Sequence, residues 1–230
     1  MSRILAIETA TEACSAALLV DGEVHERFEV APRQHAALLL PFVEALLADA
    51  GLLAGQLDAV AFGRGPGSFT GLRIAAAMTQ GIAFGAGLPV VPVSTLAALA
   101  LGAVREQGAT AVLAALDARM SEVYWGAYRR AADGLVEAAG PEGLCAPQAL
   151  RPPHEDRWSG AGSGWERYAG VLAGVAGVDE HRIHGHLKPH AADIARLAVS
   201  ELRRGRALAP EQALPVYLRN QVAAQPKPKG

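Results

Sequence analysis

The chain has 230 residues, 51% of them apolar, with 21 Lys and Arg against 23 Asp and Glu. That length and apolar content can bury a core without disulfide or metal staples. The slightly acidic balance gives no general attraction to a phosphate backbone, which argues against nucleic acid as the primary ligand.

Met1-Ser2-Arg3 runs straight into the strand-like residues 4–7 with no signal-peptide pattern, so a cytoplasmic protein is expected. Residues 15–20 read as a second strand, and Asp21-Gly22 between it and a third run, 23–30, is a hairpin signal. An apolar helix follows over 35–50, then a strand over 57–62, a loop over 63–71, a helix to about Phe84, a short strand over 89–93 and a helix from Ser94. Near Gln107-Gly108 the pattern restarts, with strands over 110–116 and 122–130, Asp133-Gly134 and a third strand. A strand over 158–161, helices from Gly164 and over about 189–204, and an irregular tail complete the chain. Glu8 and Asp117 each close the first strand of a half, and an Asp-Gly hairpin follows each second strand. The chain therefore reads as an α/β protein built by duplication, residues 1–106 and 107–230, with the second half degenerate.

Between Arg73 and Arg105 no residue is charged, but Thr79, Gln80, Gly85, Gly87, Pro89 and Pro92 interrupt the run, and no membrane span is expected. Cys14 and Cys145 belong to no CxxC or Cys/His spacing and are expected as buried free thiols. The basic residues near the end, Arg203, Arg204, Arg206, Arg219, Lys227 and Lys229, read as a solvated helix face and a frayed tail.

The loop Gly63-Arg64-Gly65-Pro66-Gly67-Ser68-Phe69-Thr70-Gly71 lies between a strand and a helix, where phosphate-binding loops sit. Its spacing fits neither GxGxxG nor a Walker A loop, and the first lysine of the chain is Lys188. The competing reading is structural: glycines for positive φ and Ser68 or Thr70 as helix N-cap. Glu8 with Thr9 after the first strand, and Asp117 with Arg119, are candidates for a cation- and phosphate-facing corner, or else turn and cap residues. His181, His184, His186 and His190 match no standard metal spacing and read as a surface loop. No nucleophile elbow or cysteine signature is present.

The helices of the first half are more apolar than one covered face requires: Glu44 and Asp49 are the only charges over 35–50. In the next helix Ala75, Thr79 and Ala83 form one small-residue ridge, with Ala77, Gly81 and Gly85 alongside. One ridge suits the chain's own sheet and the other a second chain. The residues expected at that interface are His35, Leu39, Phe42, Val43, Leu46, Phe69, Arg73, Ala76, Ala77, Gln80, Gly81 and Phe84. Ala77→Glu or Ala83→Glu is expected to abolish association and leave the fold intact.

Residues 4–19, 63–73, 93–99, 117–124 and 215–219 together closely resemble the TsaB family, also called YeaZ, over nearly the full length; Gly-Arg-Gly-Pro-Gly-Ser-Phe-Thr-Gly-Leu-Arg at 63–73 is the most specific segment. The resemblance implies a two-lobed actin-like ATPase (ribonuclease H-like) fold. It also implies a role in placing the threonylcarbamoyl group on adenosine 37 of tRNAs that read codons beginning with A. The implied assembly holds a catalytic paralogue, TsaD, and a small P-loop ATPase, TsaE, and uses ATP. No cofactor bound by this chain alone, tRNA contacted only indirectly, and self-association as a homodimer when the paralogue is absent are expected. The paralogue resembles this chain but carries His-x-x-x-His on its first-domain helix, where this chain has His35 and Leu39, and a second histidine pair where this chain reads Ser94 to Leu99. A non-catalytic subunit is implied, and the metallopeptidase label of the superfamily loses its ground. The family usually has Asp where this chain has Glu8, which changes the reach to any cation. The alternative is an independent actin-like ATPase or small-molecule kinase using Glu8, Asp117 and the Gly-rich loop.

Overall fold

The computed structural model describes residues 2–153 and 157–219; Lys227 and Lys229 lie outside them. Strands β1 (Arg3–Glu8), β2 (Ala13–Val20), β3 (Glu23–Val30), β4 (Ala59–Gly63) and β5 (Val90–Val93) form the first sheet, in the order β3-β2-β1-β4-β5. β1 is antiparallel to β2 and parallel to β4. The second sheet runs β11-β10-β6-β7-β8, from β6 (Ala111–Asp117), β7 (Val123–Arg130), β8 (Val136–Ala138), β10 (Ser159–Ala161) and β11 (Ile183–His184), with β9 (Gly143–Cys145) paired to β7. β6 is again antiparallel to its successor β7, and parallel to β10. Counted from β6, with β9 set aside, the second sheet repeats the strand order and sense of the first.

The period of two in β1 and β4 sorts residues by size onto the two faces of the first sheet. Leu5, Ile7, Val60 and Phe62 face helices α1 (His35–Asp49) and α2 (Phe69–Ala86), meeting Leu39, Val43, Leu46, Ala75 and Ala83. Ile4, Ala6, Ala59 and Ala61 face α5 (Ala191–Arg203), meeting Ile194, Ala195 and Ala198. The alanines on that side let a helix from the second half of the chain lie close to the first sheet. On the second sheet, α3 (Thr95–Gln107) packs Leu96, Leu99 and Ala103 against Val112, Ala114 and Leu116. On its other face, α4 (Ser163–Ala176) packs Trp165 and Leu172 against Leu113 and Ala115. α3 and α5 thus lie side by side between the sheets, clamped by Asp193, which is fully buried and accepts from Arg105 at 2.7 Å and Arg196 at 3.0 Å.

The strands and helices fall close to their expected places, including the Asp21-Gly22 hairpin at φ 53° and 97°. The short strands β9 and β11 are not foreshadowed by any alternation. β11 also removes His184 from the histidine loop. Cys14 is buried, but Cys145 is only half-buried. Arg219 is no part of a frayed tail, because it pairs with Glu122 at 2.7 Å. No helix among the described residues is long and apolar enough to cross a membrane.

Candidate functional site

The Gly-rich loop closes over the end of β1. Ser68 caps α2, its side chain accepting from the Gly71 N–H at 3.4 Å, and donates its own N–H to the Ala10 carbonyl at 2.7 Å. Of the loop glycines only Gly65 has positive φ, 103°. Gly67 and Gly71 answer to space: a Cβ on either would lie 2.5 Å from the Ala10 carbonyl oxygen or 1.9 Å from that of Thr9.

Beneath this loop Glu8 is buried, 1% exposed. It accepts from the Ala10 N–H at 2.6 Å and the Thr95 hydroxyl at 2.8 Å. Burial raises its carboxyl to about 7 against the pull of those hydrogen bonds. Thr9 is also buried, donating to the Gly71 carbonyl at 2.8 Å.

Where β1 and β6 end, at the meeting of the two sheets, lies a cleft of about 820 Å3 lined by Thr11, Glu12, Arg33, His35, Asp117, Arg119, Tyr124, Arg167 and Arg219 among others. Asp117 takes Arg119 at 3.2 Å and Arg167 at 3.4 Å on one oxygen. His35 contacts the Thr11 carbonyl through Nε2 at 2.9 Å, fastening the start of α1 to the β1–β2 turn. Residues 215–219 run across this junction and contact both sides of it. Val216 donates to the Arg64 carbonyl, Tyr217 packs on Phe69 at 5.3 Å, and Arg219 reaches the Ala118 carbonyl and Glu122. Among the described residues no group of three or more His, Cys, Asp or Glu side chains is arranged to hold a metal ion.

The outward side of α2 is the second candidate. Ala75, Thr79 and Ala83 are fully buried, whereas Ala77, Gly81, Phe84 and Gly85 are exposed, Phe84 by 80%. A Cβ added at Gly81 or Gly85 would meet nothing within 4 Å. The chain's own packing therefore does not require either glycine, although each weakens the helix. Exposed Leu40 and Ala36 on α1 lie on solvent-facing positions of the neighbouring helix.

A family model described as "TsaD: tRNA N6-adenosine threonylcarbamoyltransferase" matches residues 21–224. The tRNA threonylcarbamoyladenosine biosynthesis protein TsaB of Escherichia coli (strain K12) is 44% identical over 226 residues, 96% of each chain. The chain belongs to the TsaB family. The TsaB of Haemophilus influenzae is 39% identical, over 95% of this chain and 94% of that one. The solved structure of YeaZ from Pseudomonas aeruginosa superimposes with a TM-score of 0.87 at 47% identity, covering 95% of this chain and 100% of the other.

In this TsaB-family chain the two faces of α1 and α2 come out differently from the sequence expectation. His35, Leu39, Val43, Leu46 and Ala76 are buried in the domain's own core, under the first sheet, and are corrected out of the contact surface. Phe42 and Gln80 are half-buried, and Gln80 is spent on the Ala213 carbonyl at 3.2 Å. Phe69, Arg73, Ala77, Gly81 and Phe84 remain exposed, with Arg73 lying over the Phe69 ring at 3.9 Å. Ala83→Glu is corrected as a probe of association, because it would place a charge in the core. Glu8 and Thr9 face inward from the cleft, so of the three candidate ligand-binding residues only Asp117 lines it. Gly85, named in the sequence as part of the ridge with Ala77 and Gly81, is exposed beside them, and Leu40, which the sequence reading left out, is exposed on α1.

Proposed function

We propose that this chain is a non-catalytic partner subunit in the formation of threonylcarbamoyladenosine on tRNA, docking on a catalytic paralogue of the TsaD type through the exposed sides of α1 and α2. The observation that carries this is the ridge Ala77, Gly81 and Gly85: small, uncharged, exposed and unneeded by the chain itself. Such a ridge lets the backbone of a second helix approach, and an apolar exposed face of this kind is the mark of an interface. The names of the relatives supply the pathway, and adenosine 37 of tRNAs reading codons that begin with A is the site we assign.

The non-catalytic reading is supported by what occupies the catalytic positions. Glu8 is sealed beneath the loop, Asp117 is held by two arginines, and Leu39 stands in the core four residues after His35. The same facts speak against an independent actin-like ATPase. ATP is used by the assembly, with a P-loop ATPase of the TsaE type as third member. The repeated strand order of the two sheets supports the duplicated, actin-like reading of the fold. Without the paralogue the same face pairs two copies of this chain, in the cytoplasm.

Reconstitution tests this. Threonylcarbamoylation of tRNA should require this chain together with the paralogue and the ATPase, and this chain alone should be inactive. Full activity of the other components without it overturns the proposal.

A further inference from the structure

An open sheet edge offers unpaired backbone N–H and C=O groups to another chain. Most edges here are short or covered. β8 and β9 have three residues each and β11 has two. β5 has four, carries Pro92, and is capped by Leu208, which exchanges backbone hydrogen bonds with Val90 at 2.9 Å and 2.8 Å. β3 is the exception, with eight residues paired to β2 in unbroken register and no proline, glycine or bulge. Alternate residues of β3 therefore turn their N–H and C=O outward, and no other strand or backbone group among the described residues meets them.

The side chains along this edge carry an excess of acid. Glu23, His25, Arg27 and Glu29 stand on the α1 face, and Val24, Glu26, Phe28 and Val30 on the α5 face. Toward α5, Glu26 is spent on His190 at 2.8 Å and on the Ala192 N–H at 3.0 Å, and Phe28 stacks on the His190 ring. Toward α1, an open cavity of about 770 Å3 runs beside the strand, lined by Asp21, Glu23, His25, Arg27, Leu46 and Asp49 among others. Its arginine, Arg27, is taken by Asp49 at 2.6 Å. That leaves Asp21 and Glu23, with Glu29 near the other end of the strand, exposed and without an ion pair among the described residues. Phe28 and Val30 add apolar surface to the same edge, 36% and 49% exposed.

We propose that the outer edge of β3 takes an added antiparallel strand from a basic partner protein: an extended segment that alternates apolar and polar residues and carries a lysine or arginine opposite Glu23 and opposite Glu29. Strand addition draws its affinity from main-chain hydrogen bonds and its choice of sequence from alternate side chains. Directly opposite residues share a face. The two basic side chains therefore come to the α1 side, one of them at the cavity beside Asp21 and Glu23, and apolar ones come opposite Val24, Phe28 and Val30. A second copy of this chain fits less well, because its edge brings the same excess of Glu over Arg; acids on an edge discourage copies of that edge and invite a strand of opposite charge. β3 is no part of the small-residue ridge on α2, so failure of this inference leaves the docking of a paralogue untouched.

The test is amide NMR on the full chain, titrated to millimolar concentration with synthetic peptides. The first, Val-Lys-Ile-Thr-Thr-Thr-Val-Lys with blocked ends, is the strand expected to pair. In the second both lysines are glutamate. The third is the first with N-methyl groups on alternate residues, made in both settings. Saturable shifts of the amides of residues 23–30 with the first peptide are expected, weakened about tenfold or more for the second peptide and for the first on the Glu23→Gln, Glu29→Gln variant. The N-methyl setting that faces the edge should abolish binding, and the other should leave it within about twofold. Both glutamates are exposed, so the variant should melt with the parent, which separates lost affinity from unfolding. No saturable shift, equal binding of the glutamate peptide, indifference to the N-methyl setting, or shifts centred outside β3 would overturn the proposal. So would concentration-dependent broadening of β3 without peptide, which gives the edge to a second copy.

Discussion

The carboxylate of Glu8 fills the space left by the missing side chain of Gly63, where a Cβ would sit 1.9 Å from Oε2. An acid that closes a strand and is followed by hydroxyls reads as a ligand to a cation, yet this one is a buried post joining the β1–β2 turn to the start of α3. The longer reach of Glu over Asp carries the carboxyl to Gly63 and Thr95.

A pH dependence follows from that burial. With the folded-state carboxyl raised from 4.5 to about 7, the stability of the neutral form is fully present below pH 4.5 and is lost as pH rises through about 7. Ionisation then costs on the order of 3 kcal/mol, at roughly 1.4 kcal/mol per pH unit. Glu8→Gln keeps the size and cannot ionise. In urea titrations at pH 5 and pH 8.5, the variant should gain on the parent by about 1–3 kcal/mol at the higher pH. An equal difference at both would show that Glu8 does not titrate in this range.

Gly81 and Gly85 should reveal themselves by making the isolated chain less stable than it needs to be. Both lie in α2 with open space around them, so Gly81→Ala and Gly85→Ala should each raise stability by about 0.5–1 kcal/mol. The same variants should weaken association, because the added methyl stands where a second backbone must approach. Lower stability in the isolated chain would place the glycines in its own packing instead.

Thr79 faces the core with its hydroxyl buried and without a hydrogen-bond partner among the described residues. Thr79→Val keeps the shape and removes the unpaired group, so it should be neutral or stabilising by about 1 kcal/mol. A loss of stability in denaturant titration would mean that the hydroxyl finds a partner in solution.

His190 stacks on Phe28 at 4.2 Å and contacts Glu26 at 2.8 Å, where α5 meets the edge of the first sheet. Burial lowers its titration, but the hydrogen bond and charge of Glu26, with Asp193 and Glu106 behind, outweigh this and leave it raised. The stabilisation is complete below the ordinary histidine value of about 6.5 and fades as pH rises through the higher folded value. NMR titration of the imidazole should show that raised midpoint, and Glu26→Gln should lower it. An unmoved midpoint in the variant would remove Glu26 as the cause.

What was legible in the sequence was local. Asp21-Gly22 fixed the first hairpin, and a cap at Ser68 or Thr70 followed from adjacent residues, of which the structure uses Ser68. The orientation of α1 was not legible, because Leu39 and Leu40 are equally apolar and only tertiary packing decides which is buried. Which of the two readings of Glu8 holds was not legible for a similar reason: the hole that receives it is made by Gly63, far along the chain. Of the arginines that line the cleft, Arg119 was already a candidate beside Asp117, whereas Arg33 and Arg167 reach it only through the packing of distant segments.

Sedimentation of this chain mixed with a TsaD-type paralogue decides whether the exposed sides of α1 and α2 dock a partner. A one-to-one complex should form with the parent and be lost with Ala77→Glu and with Gly81→Glu, while both variants keep the parent's melting temperature in isolation. A complex that survives both substitutions, or none with the parent, would contradict that docking.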